Sequence, residues 1–152
     1  MNLSIGVAQA FAALTGPGGR PTEEMDQRQA SKLARAAVYL MSQHQRRLNK
    51  PAPAVRANGR VRYTGASRPG EYPNKRTGFL QANVTFAPTD IAGIIAAGRV
   101  RVGLRRNAFY GAVLEVRYRR LGLKDTLQDL LPQLQAITGQ NLQYQVTDSF
   151  IN

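Results

Sequence analysis

Side chains suited to acid–base, nucleophilic or metal chemistry are few in this chain of 152 residues. It has no cysteine, one histidine (His44) and nine acidic residues. A nucleophile needs a neighbouring base, which without Cys or a second His must be a carboxylate or a Lys. Asp125 and Asp129 are four residues apart, but they fall at the start of a predicted helix, where negative charge favours the helix dipole. The sequence therefore predicts no enzyme activity, no cofactor and no metal site.

His44 lies on the apolar face of another predicted helix, among Leu40, Met41 and Leu48. A histidine in that position is expected to be a buried structural residue with a hydrogen-bond partner, rather than a catalytic base.

Basic side chains are the chemistry that this sequence supplies in quantity. The chain holds 21 Lys and Arg, of which 17 are Arg, and its formal net charge is +12. Residues 27–124 hold 20 basic and 3 acidic residues, a balance of +17, whereas the two flanks together carry −5. Arginine binds carboxylates and phosphates through a planar, bidentate guanidinium. The charge therefore predicts an acidic partner, either nucleic acid or an acidic protein surface.

Eight basic residues are the candidate contacts to that acidic partner or to DNA. Three share one face of a predicted helix, three decorate a predicted hairpin, and two lie in a predicted turn. They are Arg28, Lys32, Arg35, Arg56, Arg60, Arg62, Arg105 and Arg106. A solvated helix face and a mobile surface loop are the structural alternatives for the first two groups.

Hydrophobic periodicity predicts the elements that position these residues. Apolar residues recur at helical spacing over 26–48 and 123–137, and Pro132 should kink or divide the second helix. Alternating residues predict strands over 79–86, 99–104 and 109–118. The Asn-Gly pair between alternating residues near 53–64 predicts a tight basic hairpin.

The remaining segments are less regular. Residues 91–97 are either a buried strand or a short helix, and 142–146 are a short strand or an arm. Residues 1–14 form a short helix or an arm, and the Thr-Gly-Pro-Gly-Gly-Arg-Pro run after them breaks regular structure. The apolar stretch near the start is too short to cross a membrane and lacks the basic lead of a signal peptide.

Together these elements predict an α+β domain over residues 26–138. Its mainly antiparallel sheet of three to five strands packs with two helices. An N-terminal arm and linker covers residues 1–25, and residues 139–152 form a C-terminal strand or arm.

One segment, Ser67 to Leu80, resembles part of the neck, or tail-completion, proteins of long-tailed double-stranded DNA phages. In that family a Pro-Gly-rich basic loop runs into a Thr-Gly-x-Leu turn, which opens the first strand of the sheet. The matching residues here are Pro69, Gly70, Tyr72, Pro73, Arg76, Thr77, Gly78 and Leu80.

The order of motifs downstream is also similar to that family. Val100-Arg101-Val102-Gly103 resembles a Val-x-Val-Gly strand, and Tyr110-Gly111 followed by Leu114-Glu115 resembles a Tyr-x-x-x-Leu-Glu segment. A basic loop at Arg119-Arg120 and a closing helix follow. The resemblance covers residues 28–137 and leaves both ends of the chain outside.

The sequence departs from the family pattern at two places. Glu115 is followed by Val116-Arg117-Tyr118, where the family continues with Phe-Gly-Thr. Before the last helix, Arg120-Leu121-Gly122-Leu123 stands in place of Arg-Pro-Phe-Leu.

The resemblance implies a structural, non-enzymatic virion protein that joins head and tail as part of a ring of six or twelve copies. Its partners would be other copies of itself, the adjacent adaptor, head-closure or tail-terminator rings, and genomic DNA in the channel. It would be made in the cytoplasm of the bacterial host and end at the head–tail junction. The alternatives are the tail terminator rather than the neck ring proper, or a basic nucleic-acid-binding protein.

Overall fold

The computed structural model of this protein describes residues 2–6, 27–75, 78–139, 142–147 and 150–151, which form an α+β fold. Its strands are β1 (Asn2–Gly6), β2 (Ala54–Ala57), β3 (Arg60–Tyr63), β4 (Val84–Ala87), β5 (Arg99–Leu104) and β6 (Gln143–Thr147). Its helices are α1 (Gln27–Arg47), α2 (Phe79–Ala82), α3 (Ile91–Ala97), α4 (Tyr110–Arg117) and α5 (Leu123–Thr138), with a 3₁₀ turn at Arg106–Ala108.

The main sheet has four strands in the order β4-β5-β1-β6, and every neighbouring pair is antiparallel. Leu3 is aligned with Val102 of β5 on one side and with Val146 of β6 on the other. The expectation of a helix or an arm at the N-terminus is therefore corrected for Asn2–Gly6, which form an inner strand. Residues 7–26 of the predicted arm, linker and helix start lie outside the described residues.

Helices α1 and α5 pack together over the sheet and confirm the two predicted helices. Leu33 and Leu40 of α1 and Leu127 and Leu134 of α5 are fully buried in one cluster, because apolar residues at helical spacing share a face. Burying each such side chain contributes roughly 1.5–3 kcal/mol. Helix α5 continues through Pro132, which is exposed, so the expected division of this helix does not occur.

Segment 91–97 forms a helix, which settles the open choice between strand and helix. The Asp90 carboxylate accepts a hydrogen bond from the backbone N–H of Gly93 at 3.0 Å, and Gly98 ends the helix with φ of 67°. Val100 and Val102 of the following strand are fully buried, as the alternation over 99–104 predicts.

Of two predicted strands, one is helical in its first half and the other is helical throughout most of its length. Residues 79–86 were expected to form one strand, but Phe79–Ala82 makes a helical turn and the strand begins at Val84. The turn follows Gly78, whose φ of 81° favours glycine, so Thr-Gly-x-Leu opens a helical turn and not a strand. Residues 109–118 were expected to form a strand, but Tyr110–Arg117 forms α4.

Close packing explains why residue 111 of this helix is a glycine. Gly111 is buried, and a Cβ built on it would lie 2.6 Å from a methyl carbon of Leu80 and 2.6 Å from one of Leu104. The glycine therefore lets the backbone of α4 approach these two leucines. An alternating pattern in a short segment does not predict such a tertiary contact.

Candidate functional site

The Pro-Gly-rich loop is held to the segment before α5 by backbone hydrogen bonds. The N–H of Gly70 donates to the carbonyl of Arg119 at 2.9 Å, and the N–H of Leu121 donates to the carbonyl of Glu71 at 2.9 Å. The Glu71 carboxylate accepts from the N–H of Arg68 at 2.9 Å. That bond, with the positive charges of nearby basic side chains, lowers the pKa of Glu71. Glu71 is therefore a negatively charged carboxylate within a loop that is otherwise basic.

Tyr72 fastens the same loop to both long helices. Its hydroxyl accepts a hydrogen bond from Arg47 at 2.9 Å and lies 3.1 Å from the hydroxyl of Thr126. Thr126 in turn lies 2.7 Å from Nδ1 of His44, and Arg47 also pairs with Asp129 at 2.6 Å. We call these five residues the tyrosine network. It gives the loop a fixed position relative to α1 and α5.

His44 has the structural role that the sequence predicts. It is buried, it pairs with Thr126, and its ring packs edge-on to Tyr72 with centroids 6.1 Å apart. Burial, with the positive charge of Arg47, lowers the pKa of His44 to about 3. The imidazole is therefore neutral near pH 7.

The two carboxylates of α5 are also accounted for by local contacts. Asp125 accepts a hydrogen bond from the N–H of Gly122 at 2.8 Å and so caps the helix. Asp129 lies beyond the first turn and pairs with Arg47, which corrects its assignment to the helix dipole.

The loop, α2 and α4 enclose a cleft of about 240 Å³. Pro73, Gly78 and Leu80 contribute to its wall from the loop side. Tyr110 and Leu114 contribute from α4, and Arg120 and Ser67 join across it through a hydrogen bond of 2.7 Å. Segments 67–80 and 110–120, which carry most of the resemblance, therefore meet around one cavity.

Exposed apolar side chains lie at the starts of α2 and α4, and two of them, Phe79 and Tyr110, line this cleft. Phe79 and Tyr110 stack with ring centroids 6.3 Å apart, and Phe109 is 60% exposed. Val113, one turn after Phe109, is also exposed. We call Phe79, Phe109, Tyr110 and Val113 the aromatic rim. Exposed aromatic and apolar side chains on neighbouring elements are typical of protein–protein contact sites.

Asn74 adds an unusual polar atom to the cleft wall. Its Oδ1 is buried and has no hydrogen-bond partner in the part of the chain that the structure describes. A buried acceptor without a partner costs about 1–3 kcal/mol.

The eight candidate basic contacts occupy three separate places. Arg28 and Arg35 are exposed, and Lys32 is half-buried, on the N-terminal half of α1. The hairpin arginines Arg56, Arg60 and Arg62 are all exposed beyond the C-terminal end of that helix, which is about 30 Å long. The last two basic contacts, Arg105 and Arg106, are exposed where β5 ends.

The other motif residues are placed only in part. Pro69 and Gly70 lie in the anchored loop, whereas Arg76 and Thr77 lie outside the described residues. The tyrosine network joins residues as far apart as His44 and Thr126, and no local sequence pattern marks Thr126 as a partner. In the sequence, the spacing of His44 and Arg47, which places them one helical turn apart, is the one signal of the tyrosine network.

Neither a metal centre nor a membrane span is found in the described ranges. No group of three or more His, Asp or Glu among those residues is placed to hold a metal ion. No helix within the same residues combines the length and apolar character needed to cross a membrane.

Comparison with known proteins gives no match to this chain from any family model, curated protein or solved structure. The likeness to phage neck proteins therefore remains a resemblance carried by the motifs.

Proposed function

We propose that this chain is a non-enzymatic structural subunit of the neck of a tailed phage, where it joins head and tail as part of a ring. The observation that carries the proposal is the convergence of segments 67–80 and 110–120 on one cleft. The order of motifs in these segments resembles that of neck proteins. Residues of both segments line the same cleft, so the motifs that carry the resemblance form one surface.

The surface around the cleft suits contact with a neighbouring protein. The aromatic rim leaves apolar area exposed, and Phe109 and Val113 lie one helical turn apart on α4. Aromatic residues are enriched where protein interfaces are most tightly packed. The rim and the cleft together offer a recessed surface with apolar edges.

A ring also requires two different surfaces on each subunit. Contacts in a ring are heterologous, so a projecting element of one copy meets a recessed element of the next. In this chain the cleft is the recessed surface, and a neighbouring copy would fill it with a different part of its own surface.

The tyrosine network makes the recessed surface rigid before any partner arrives. Tyr72 is bonded to Arg47 and lies against Thr126, so the loop does not have to be ordered during assembly. Pre-ordered surfaces bind at a lower entropic cost.

The proposal is tested by deleting the gene from the phage that encodes this chain and examining lysates by electron microscopy. Filled heads and separate tails are expected, and the wild-type gene supplied in trans should restore joined particles. Joined, infectious particles formed without the chain would contradict the proposal.

Two variants locate the required surface in the same assay. Phe109→Ala removes the most exposed rim residue and should reduce joining, whereas Val38→Ala removes a 43% exposed side chain from α1 and should not. Equal joining by both variants would count against the rim as the interface. Purified tails from a head-defective mutant distinguish the alternative, because a tail terminator would be present on them and a neck ring would not.

A further inference from the structure

The β2–β3 hairpin carries an unusual density of arginine on a narrow ribbon. We infer that this hairpin is a binding element for double-stranded DNA, which inserts into the major groove and contacts phosphates on both sides. The inference stands on the hairpin alone and does not depend on the neck role.

The strand register distributes the arginines over both faces of the ribbon. Arg62 is aligned with Val55, Arg60 with Ala57, and Arg56 with Val61. Because side chains alternate along a strand, Arg60 and Arg62 share one face and Arg56 occupies the other.

This arrangement matches a groove better than a flat surface. The major groove of B-DNA, about 12 Å wide, admits a two-stranded ribbon, and its two walls are lined by phosphates. Arginines on both faces of the ribbon would then contact phosphates on the two walls at the same time. An acidic protein surface would meet only one face of the hairpin, which is why DNA is the partner that the geometry favours.

The hairpin arginines are available for such contacts. All three are exposed, and no acidic residue occurs between residues 27 and 70. The first carboxylate after that stretch, Glu71, is bonded to the N–H of Arg68. The ion pair at this end of α1 joins Arg47 to Asp129 and does not use the hairpin.

The hairpin is also shaped before binding. Asn58 and Gly59 both have positive φ, 52° and 73°, as in the tight turns that match the twist of paired strands. At its base the N–H of Thr64 donates to the carbonyl of Pro53 at 2.8 Å. A pre-formed ribbon loses little conformational entropy on binding.

Two lysines extend the positive field at the base of the hairpin. The N–H of Lys75 donates to the carbonyl of Lys50 at 2.7 Å, and the N–H of Ala52 donates to the carbonyl of Lys75 at 2.8 Å. The backbones of both lysines therefore lie beside the base of the ribbon. Lys50 is exposed there, whereas the Lys75 ammonium donates to Oδ1 of Asn49 at 3.1 Å.

The test measures binding of the full chain to a short, fluorescein-labelled DNA duplex of mixed sequence. Fluorescence anisotropy reports the affinity, which is measured at several salt concentrations. The hairpin variant carries Arg56→Gln, Arg60→Gln and Arg62→Gln. The matched control carries Arg28→Gln, Lys32→Gln and Arg35→Gln, which removes the same charge from α1. Far-UV circular dichroism establishes that both variants remain folded.

The hairpin variant should lose affinity by about a hundredfold near 0.1 M salt, and its log–log salt slope should fall by about 2.7, the value for three lost phosphate contacts. The α1 variant should change the slope by less than about 1. Equal losses in the two variants would mean that total charge, and not the hairpin, governs binding, and would overturn the inference.

Two further outcomes would also overturn it. One is a wild-type chain that does not bind the duplex near 0.1 M salt. The other is hairpin-dependent binding to poly-glutamate without binding to the duplex, which would assign the hairpin to an acidic protein partner. Because purified protein is used, either failure leaves the neck proposal to be judged on particles alone.

Discussion

The helix–sheet core and the loop end of this molecule are stabilised in different ways. We use helix–sheet core for α1, α3, α5 and the four-stranded sheet; one apolar cluster joins the three helices to β5, with Phe86 of β4 and Val146 of β6 packed against it. The loop end comprises the β2–β3 hairpin, the loop of residues 64–75, α2 and α4. It rests on a small cluster formed by Leu48, Val84, Leu104 and Ala108, and its loop is tied down by hydrogen bonds.

The difference separates stability from recognition. Most apolar residues of α1 and α5 are buried in the helix–sheet core, so mutations of these residues change folding. The loop end keeps apolar and basic side chains exposed, among them Phe109 and Arg60. A surface on which apolar and basic side chains stay exposed together is expected to contact a partner.

The largest expected effect compares a buried leucine with an exposed aromatic. Leu127→Ala should lower the free energy of unfolding by about 2–5 kcal/mol, because it leaves a cavity between α1 and α5. Phe109→Ala should change it by less than about 0.5 kcal/mol, since that side chain is 60% exposed. Urea denaturation followed by circular dichroism measures both, and similar losses would remove the distinction between the two regions.

A pH dependence should arise where the two regions meet. The pKa of His44 is about 3 in the folded protein against 6.5 when exposed, so the unfolded chain binds the extra proton as pH falls through this interval. The free energy of unfolding should be constant, as far as His44 is concerned, above pH 6.5 and fall below it by up to about 1.4 kcal/mol per pH unit.

Urea denaturation across that pH window checks this prediction, with His44→Gln as the reference. The difference between wild type and variant isolates the histidine from the carboxylates, which titrate in both. A difference that does not change with pH would mean that His44 has the same pKa in the folded and unfolded protein, which would contradict its burial as a neutral imidazole.

Within the loop end, Gly111 should be the position most sensitive to an added side chain. Gly111→Val would bring new atoms against Leu80 and Leu104, at 2.6 Å from the first carbon, and should cost about 1–3 kcal/mol. Gly70→Ala is the matched control, because no atom lies within 4 Å of its added carbon and only backbone strain at φ of 84° remains. Thermal melting compares the two, and a larger loss at Gly70 would argue against the close approach of α4.

The smallest expected effect concerns the turn that opens α2. Gly78→Val should cost about 1–2 kcal/mol, since φ of 81° is strained for a residue with a branched Cβ. Gly78→Asn should cost less, because Asn tolerates this conformation. Equal stability of the valine variant and the wild type would show that the positive φ is not needed.

The helix–sheet core follows well from the sequence. Helices α1 and α5 are long and periodic, so several turns repeat the same apolar face. In the loop end, only the hairpin turn follows as directly, from the Asn58-Gly59 pair. The inner position of β1 could not be predicted, because pairing with β5 and β6 joins segments about a hundred residues apart or more.

The loop end follows from the sequence only in part. Motif residues such as Tyr72 and Leu80 could be selected from the resemblance, but their neighbours could not. The alternation over 109–118 predicts a strand where the structure has helix α4, and the close approach of Gly111 to Leu80 and Leu104 is a tertiary contact that local alternation does not encode. The aromatic rim does not follow from the sequence for the same reason, because a strand would hold Phe109 and Val113 farther apart than one helical turn does.

The most direct test of the proposed neck role is electron microscopy of intact particles from the phage that encodes this chain, with gold-labelled antibody against it. The account predicts label confined to the head–tail junction. Unlabelled particles, or label on the capsid surface or the tail tip, would contradict it.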